Sequence, residues 1–517
     1  MGLHPDRSEP FSSVDTAWLH LDTPTNLAVI NGVMTFNQPL NFERLKRTVE
    51  ARMLTFDRFR QRVREPEGRL GLPHWEFDPD FHIDRHLLRD RLPDPGDLQV
   101  LQLLMGRLVS VPLDPSRPLW QLVYLENFGE GSALIGRLHH CIADGIALMQ
   151  VLLSLADDSP DAPWPEIPEQ VEEEEIELSP LARLLYPAVK AVKTANRNWR
   201  AASHIVHEGI ETLITPARLA EAASYGTKSA MALGKLLLIP PDPKTVFKQK
   251  CDVEKRVAWL KAIRVDEVKE VGQKMGGTIN DILLSAVTGA LRRYLEDRGE
   301  FVEGLNIRAM IPVNLRRPEE VNKLGNRFGL VYLSLPVGIR DPLDRLVTLK
   351  KRMDAIKESP EAVVAFGILG GIGYTPVQLE QVIATIFGIK GSAVMTNVPG
   401  PRHPVYLAGE QIDTFIFWVP TPAGMSMGLS IFSYNGDVII GFATDAGIVP
   451  DPEQIIVDFQ DEFEMLKRWG TPPEHSISAD TEQASPYAMC QRTTRSGAAC
   501  KNRALPGLSY CRVHQPD

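Results

Sequence analysis

The sequence predicts a mixed α/β (α+β) protein built in two globular blocks, and three observations carry that expectation. Apolar, strand-like runs alternate with helical spacings before residue 158 and again after residue 251. The stretch between them holds too many prolines and charges to bury a core. The chain has 517 residues, beyond the roughly 100–200 that one hydrophobic core usually serves. The expected division is a first domain over 1–158, a connector over 159–250, a second domain over 251–470, a polar disordered linker over 471–489 and a small Cys/His tail over 490–517.

Taken in order, Val14, Ala17, Trp18 and Leu19 open the first block, followed by a strand over 27–36 and helical spacing through Leu45, Val49 and Met53. A periodic helix is expected near 98–108. Strands at 122–125 and 133–138 flank the turn Phe128-Gly129-Glu130-Gly131, which reads as a hairpin. Ile146, Met149, Val151, Leu152 and Leu155 then follow helical spacing, which stops at Asp157-Asp158-Ser159-Pro160.

The connector begins with Pro160, Pro163, Pro165, Pro168 and the acidic run 172–175, an acidic linker. From 181 to 238, basic residues such as Lys190, Arg197 and Arg200 interleave with Leu184, Tyr186, Trp199 and Ile205. This pattern fits a basic amphipathic helical segment that lies on a membrane surface, or equally a connector with a solvated basic face. The second block offers a helix over 279–295 and strands near 309–313, 330–335, 414–419, 427–432 and 438–444.

Composition removes several function classes. Acidic residues exceed basic ones, 66 to 56, for a formal charge of −10, which argues against nucleic-acid binding. The longest apolar run, 363–374, is short and glycine-rich against the roughly 20 residues a spanning helix requires. No secretory signal pattern opens the chain, so a cytosolic, reducing setting is expected, and five unevenly placed cysteines do not make a disulfide framework.

The chemistry concentrates in Arg137-Leu138-His139-His140-Cys141-Ile142-Ala143-Asp144-Gly145, which follows an apolar strand and precedes a helix. Side chains of neighbouring strand residues point to opposite faces, so only one of His139 and His140 can face a given pocket. A neutral imidazole can take a proton near pH 7, and one such base suffices for acyl transfer to an acceptor that brings its own nucleophile. No Gly-x-Ser-x-Gly elbow is present. Asp144 is expected to anchor the turn through an arginine and backbone amides, and Gly145 to permit the chain reversal. A metal site at the paired histidines fails on spacing. Cys141 reads as a packing residue. Thr278 and Asp281 form a near capping box, and Asn280 stands where its amide could serve a developing oxyanion or hold a domain interface. Asn397-Val398-Pro399-Gly400-Pro401 reads as a rigid turn.

From Phe11 to about Arg468 the chain resembles the bacterial wax ester synthase/diacylglycerol acyltransferase family, within the superfamily of CoA-dependent acyltransferases and condensation domains. The matching pieces are Ser13-Val14-Asp15, Pro118-Leu119-Trp120, His139-His140-x-x-x-Asp144-Gly145, Asn280-Asp281, Pro312-Val313-Asn314-Leu315-Arg316, Gly325-Asn326 and Asn397-Val398-Pro399-Gly400-Pro401. The resemblance implies two chloramphenicol-acetyltransferase-like domains with a tunnel between them, receiving a fatty acyl-CoA from one side and a lipid alcohol from the other. It implies His140 as general base, His139 as a positioning residue, Asp144 as a structural aspartate partnered by Arg316, and importance for Asn280 and Asp281. It further implies diacylglycerol or a long-chain fatty alcohol as acceptor, no catalytic cofactor, and a place at the inner face of the membrane or on lipid droplets. The rivals are a condensation-type enzyme acylating an amine and a noncatalytic lipid-droplet protein of the same fold.

The tail lies outside that resemblance. Cys490, Cys500, Cys511 and His514 have the ligand types of a structural Cys3His zinc site, and so short a segment would need a metal to fold.

Overall fold

The structure is a computed structural model and describes residues 8–66, 72–167, 236, 238–260, 262–316, 324–372, 377–422 and 424–470. Most of the connector and the whole tail therefore lie outside the described residues, including Cys490, Cys500, Cys511 and His514 with the zinc expectation attached to them.

Two large sheets organise the rest. In the first, strands Tyr406–Leu407, Glu410–Trp418, Val29–Phe36, Gly131–His139, Trp120–Phe128 and Leu87–Arg91 lie side by side in that order. All pair antiparallel except Leu87–Arg91, which runs parallel to Trp120–Phe128. Gly131–His139 sits in the middle with every residue buried, which explains its unbroken run of small and apolar side chains as far as Arg137. The expected hairpin is present, with Asn127 and Gly129 taking the left-handed conformations that its turn demands.

The second sheet orders Phe328–Leu335, Ile307–Asn314, Ala393–Pro399, Met427–Tyr434, Asp437–Asp445 and Lys255–Trp259, with Ile263–Arg264 added beside Asp437–Asp445. Ala393–Pro399 runs parallel to both of its neighbours. Helix Ile279–Glu296, started by the Thr278/Asp281 capping box, buries its apolar face against helices Pro342–Lys357 and Pro452–Gly470 over this sheet. The apolar run expected near 363–374 forms helix Glu361–Ile372, packed on strand Phe328–Leu335 and on helix Ser13–His20.

Two expected boundaries require correction. Residues 251–470 do not form a self-contained second domain, because Tyr406–Leu407 and Glu410–Trp418 cross over and join the first sheet, Phe415 to Trp418 pairing with Met34 to Asn31. The period-2 apolar pattern identifies a strand without saying which sheet it joins, so the crossing is invisible in sequence. The second block also begins before residue 251. Phe247 is in its core, and the buried Asp242 carboxylate accepts from the Arg308 amide and from Ser392 Oγ. The halves are fused by a cluster that includes Leu101, Met105, Val257, Trp259, Ile416 and Trp418.

Candidate active site

Strand Gly131–His139 ends at the paired histidines, and backbone bonds from both neighbouring strand regions fix them. His139 N donates to Leu119 O at 2.9 Å and His140 N to Ala28 O at 2.7 Å, after which Ile142 N closes the turn on His139 O at 3.0 Å. The two rings diverge as strand geometry requires. His139 turns from the cavity: its Nδ1 accepts the Cys141 N–H at 3.2 Å and its Nε2 lies 3.7 Å from Asp22 Oδ2. His140 lines a cavity of about 150 Å³ at the seam between the sheets.

The cavity draws on both halves. Trp18, His140, Gly145 and Ile146 come from the first, Met310, Phe328, Leu330, Val394, Thr396 and Asn397 from the second, and Phe417 from the crossover strand. A mostly apolar wall with a few convergent polar groups is the usual make-up of a small-molecule site. Its volume is near that of an engineered protein cavity that holds benzene. It accommodates a reacting centre rather than two whole acyl chains.

Both oxygens of Asp144 are engaged by donors of the protein. It caps helix Gly145–Leu155, Oδ1 accepting from Ala147 N at 3.0 Å, while Oδ2 accepts from Arg316 Nη2 at 2.7 Å and Arg327 N at 2.9 Å. Both side chains of this ion pair are buried. The same Arg316 nitrogen donates to Gly325 O, which also accepts from Asp144 N at 3.3 Å. Gly325 has φ +98°, a left-handed conformation that explains glycine there. The loop around it thus grips the His140–Asp144 turn from the other half.

Burial dominates the electrostatics of His140. The ring is sealed apart from the cavity, and loss of solvation pushes its pKa down to about 4, with the Asp144 carboxylate pulling up and His139 pushing down more weakly. Nδ1 is buried, and the ring lines the cavity. The ring is therefore neutral at physiological pH. An unfolded histidine takes its proton near 6.5, so between that value and about 4 the unfolded chain binds the extra proton and stability falls as pH is lowered. The acid limb of kcat/KM in the free enzyme is expected well below pH 6.5, and a limb at 6.5 or above would contradict a desolvated base.

Other expected residues fall differently. Gly145 does not reverse the chain: it has no positive φ and is the first residue of a helix already capped by Asp144. It lines the cavity instead, and a Cβ there would meet Phe417 at an ordinary 3.5 Å. Gly145→Ala is accordingly expected to fold and turn over within about threefold of wild type, whereas Gly145→Leu should fill the cavity and raise KM, read from initial rates against acyl-CoA concentration. Asn280 is not among the cavity-lining residues. Its Oδ1 accepts from Asn397 Nδ2 at 2.9 Å, and Asn397 is the one at the cavity. Both belong to the second sheet and its helices, and Asn280 meets the cavity through Asn397. Asp281 accepts from Thr278 N at 2.9 Å and Thr278 Oγ1 at 2.8 Å, a helix cap. Cys141 is buried, and burial pushes its thiol up, as befits a packing residue.

Sequence reasoning assigned no role to three neighbours of His140. Trp18 stacks on the imidazole, centroids 4.1 Å apart and planes 18° apart, and Phe328 flanks it at 5.5 Å. Asn326 Nδ2 donates to His140 O and to Asp15 Oδ1, each at 2.8 Å. Asp15 and Asn326 did stand in quoted motifs, but nothing in one sequence brings residues 311 positions apart together.

Residues 11–283 match the family described as the wax ester synthase/diacylglycerol acyltransferase catalytic domain, and residues 324–467 the WS/DGAT C-terminal domain. Among curated relatives, the probable diacyglycerol O-acyltransferase tgs1 of Mycobacterium tuberculosis is 27% identical over 409 residues, covering 78% of this chain and 83% of the relative. The probable diacyglycerol O-acyltransferase tgs2 of the same species is 26% identical over 472 residues, 88% of this chain and 98% of the relative. Among solved structures, the wax ester synthase/diacylglycerol acyltransferase from Marinobacter aquaeolei VT8 superposes with a TM-score of 0.64 at 19% identity, covering 89% of this chain and 99% of that one. The first condensation domain of the calcium-dependent antibiotic synthetase gives 0.55 at 14% identity, covering 91% and 98%. These last two likenesses are of fold.

Proposed function

The chain belongs to the wax ester synthase/diacylglycerol acyltransferase family, and from that premise we propose that it transfers a fatty acyl group from acyl-CoA to diacylglycerol, with long-chain fatty alcohols as further acceptors. The observation that carries this reading is the neutral His140 ring facing a cavity at the seam of the two halves. In the proposed reaction His140 Nε2 takes the acceptor's hydroxyl proton as that oxygen attacks the thioester carbonyl. An O–C bond forms, the C–S bond breaks, and the proton passes to the departing CoA thiolate. No acyl-enzyme is required, which fits a cavity with no cysteine among its described lining residues.

The remaining site residues are architectural in this reading. His139 and Asp144 shape the turn, Gly145 keeps the cavity open, Arg316 holds Asp144, Asp281 caps its helix, and Asn280 steadies Asn397. The chemistry needs no cofactor. Lipid substrates support a peripheral position at the inner face of the membrane or on lipid droplets, and among the described residues no helix is long and apolar enough to cross a membrane.

The test is purified protein with palmitoyl-CoA, offered dipalmitoylglycerol, hexadecanol and hexadecylamine separately, with products identified by mass. Triacylglycerol is expected, with wax ester beside it. Amide as the sole product would favour the condensation-type alternative, and no product with any acceptor would favour a noncatalytic role.

A further inference from the structure

The pair Asp15 and Asn326 joins the two halves at the back of His140. Asn326 Nδ2 spends both of its protons, one on Asp15 Oδ1 and one on the His140 carbonyl, each at 2.8 Å. A carboxylate and a carbonyl both accept only, so the amide orientation is fixed by its partners. Asn326 and Asp15 are both buried, and the Asn326 Oδ1 is left without a partner. A buried polar atom without a partner is costly, so the amide is retained there at some expense to stability.

What this pair sets is the surroundings of the ring. Asp15 lies one turn before Trp18 on helix Ser13–His20, so the two share a face. Asn326 lies two residues before Phe328, which opens the strand Phe328–Leu335. Trp18 and Phe328 are the two aromatics against the imidazole, and their own centroids are 5.8 Å apart. The His140 backbone is held on its amide side by Ala28 of the first half and on its carbonyl side by Asn326 of the second.

We propose that Asn326 is a positioning residue for acyl transfer, its amide clamping the His140 carbonyl to Asp15 so that Trp18 and Phe328 hold the imidazole at the angle its proton transfer needs. The kinetic consequence rests on the acyl-transfer reading above. Asn326 is not among the residues lining the cavity, so its loss should act on kcat and leave KM nearly alone.

Two variants separate positioning from simple folding. Asn326→Ala removes both bonds. The exchange Asp15→Asn with Asn326→Asp restores the contact between positions 15 and 326 with the donor reversed and the net charge unchanged, but a carboxylate at 326 cannot donate to the His140 carbonyl. Both are measured for thermal melting, for kcat and KM, and for the imidazole NMR signals of His140. The expected result is that the exchange stays folded, melting below wild type because the buried His140 carbonyl loses its donor, while kcat falls about 10- to 100-fold, with KM within about threefold and displaced His140 signals. Recovery of both melting and kcat in the exchange overturns the proposal, as does wild-type kcat in Asn326→Ala. Loss of fold in both variants also overturns it, by making the amide a folding element. Failure of the wild-type protein to form ester would sink the acyl-transfer reading instead, and the NMR comparison would still report whether Asn326 sets the ring.

Discussion

Replacing His140 with alanine is expected to lower kcat by about 10²- to 10⁴-fold, the range a positioned general base contributes. Among the described residues that line the cavity, Asp144 is the one other carboxylate or imidazole. Both oxygens of Asp144 are occupied by Ala147, Arg316 and Arg327, and His139 faces Asp22 and the Cys141 amide. KM for acyl-CoA should change little, because the ring is one small part of the wall that holds the substrates. Fold should survive, since His140's backbone bonds to Ala28 and Asn326 do not depend on its side chain. The measurement is steady-state ester formation alongside circular dichroism. A folded His140→Ala enzyme with wild-type kcat would remove the imidazole from the reaction.

Arg316→Ala should produce the largest loss of stability. The guanidinium bridges the Asp144 carboxylate and the Gly325 carbonyl, and removing it strands a buried carboxylate that still accepts from two backbone amides. Breaking a buried pair in this one-sided way typically costs about 3–5 kcal/mol. Arg316→Lys should recover only part of that, since an ammonium on a shorter stem is not held in the guanidinium plane that aims Nη2 at both acceptors. Denaturant midpoints of the three proteins give the ranking. If alanine and arginine unfold at the same midpoint, the pair contributes nothing to the fold. Activity should fall along with stability, because the turn that Arg316 secures begins at the strand's last residue, beside His140.

The motif around His140 was legible because its logic is local. A strand that ends, two histidines with opposed side chains and an aspartate four residues on are all set by dihedral periodicity and helix capping, which act within one turn of chain. The Thr278/Asp281 cap was legible for the same reason. Gly145 was misread because glycine in a turn suggests backbone freedom, while the residue opens a helix and lines the cavity beside Phe417, a residue 272 positions away that arrives with the crossover strand. For Asn280 the sequence showed a polar helix N-terminus but not that the residue meets the cavity through Asn397, 117 positions away. Trp18 read as one more apolar core position, and only tertiary packing distinguishes an indole in the core from one stacked on His140.

The crossover strand Glu410–Trp418 constrains how the molecule can move. It is laddered edge-on to Val29–Phe36 while the chain on its C-terminal side returns to the other sheet, so the halves are spliced together rather than hinged. A clamshell opening would have to tear that ladder and separate Trp259 from Trp418. Reactants would therefore thread their way to the imidazole with both halves in place, and the architecture behaves as a sleeve, not a jaw.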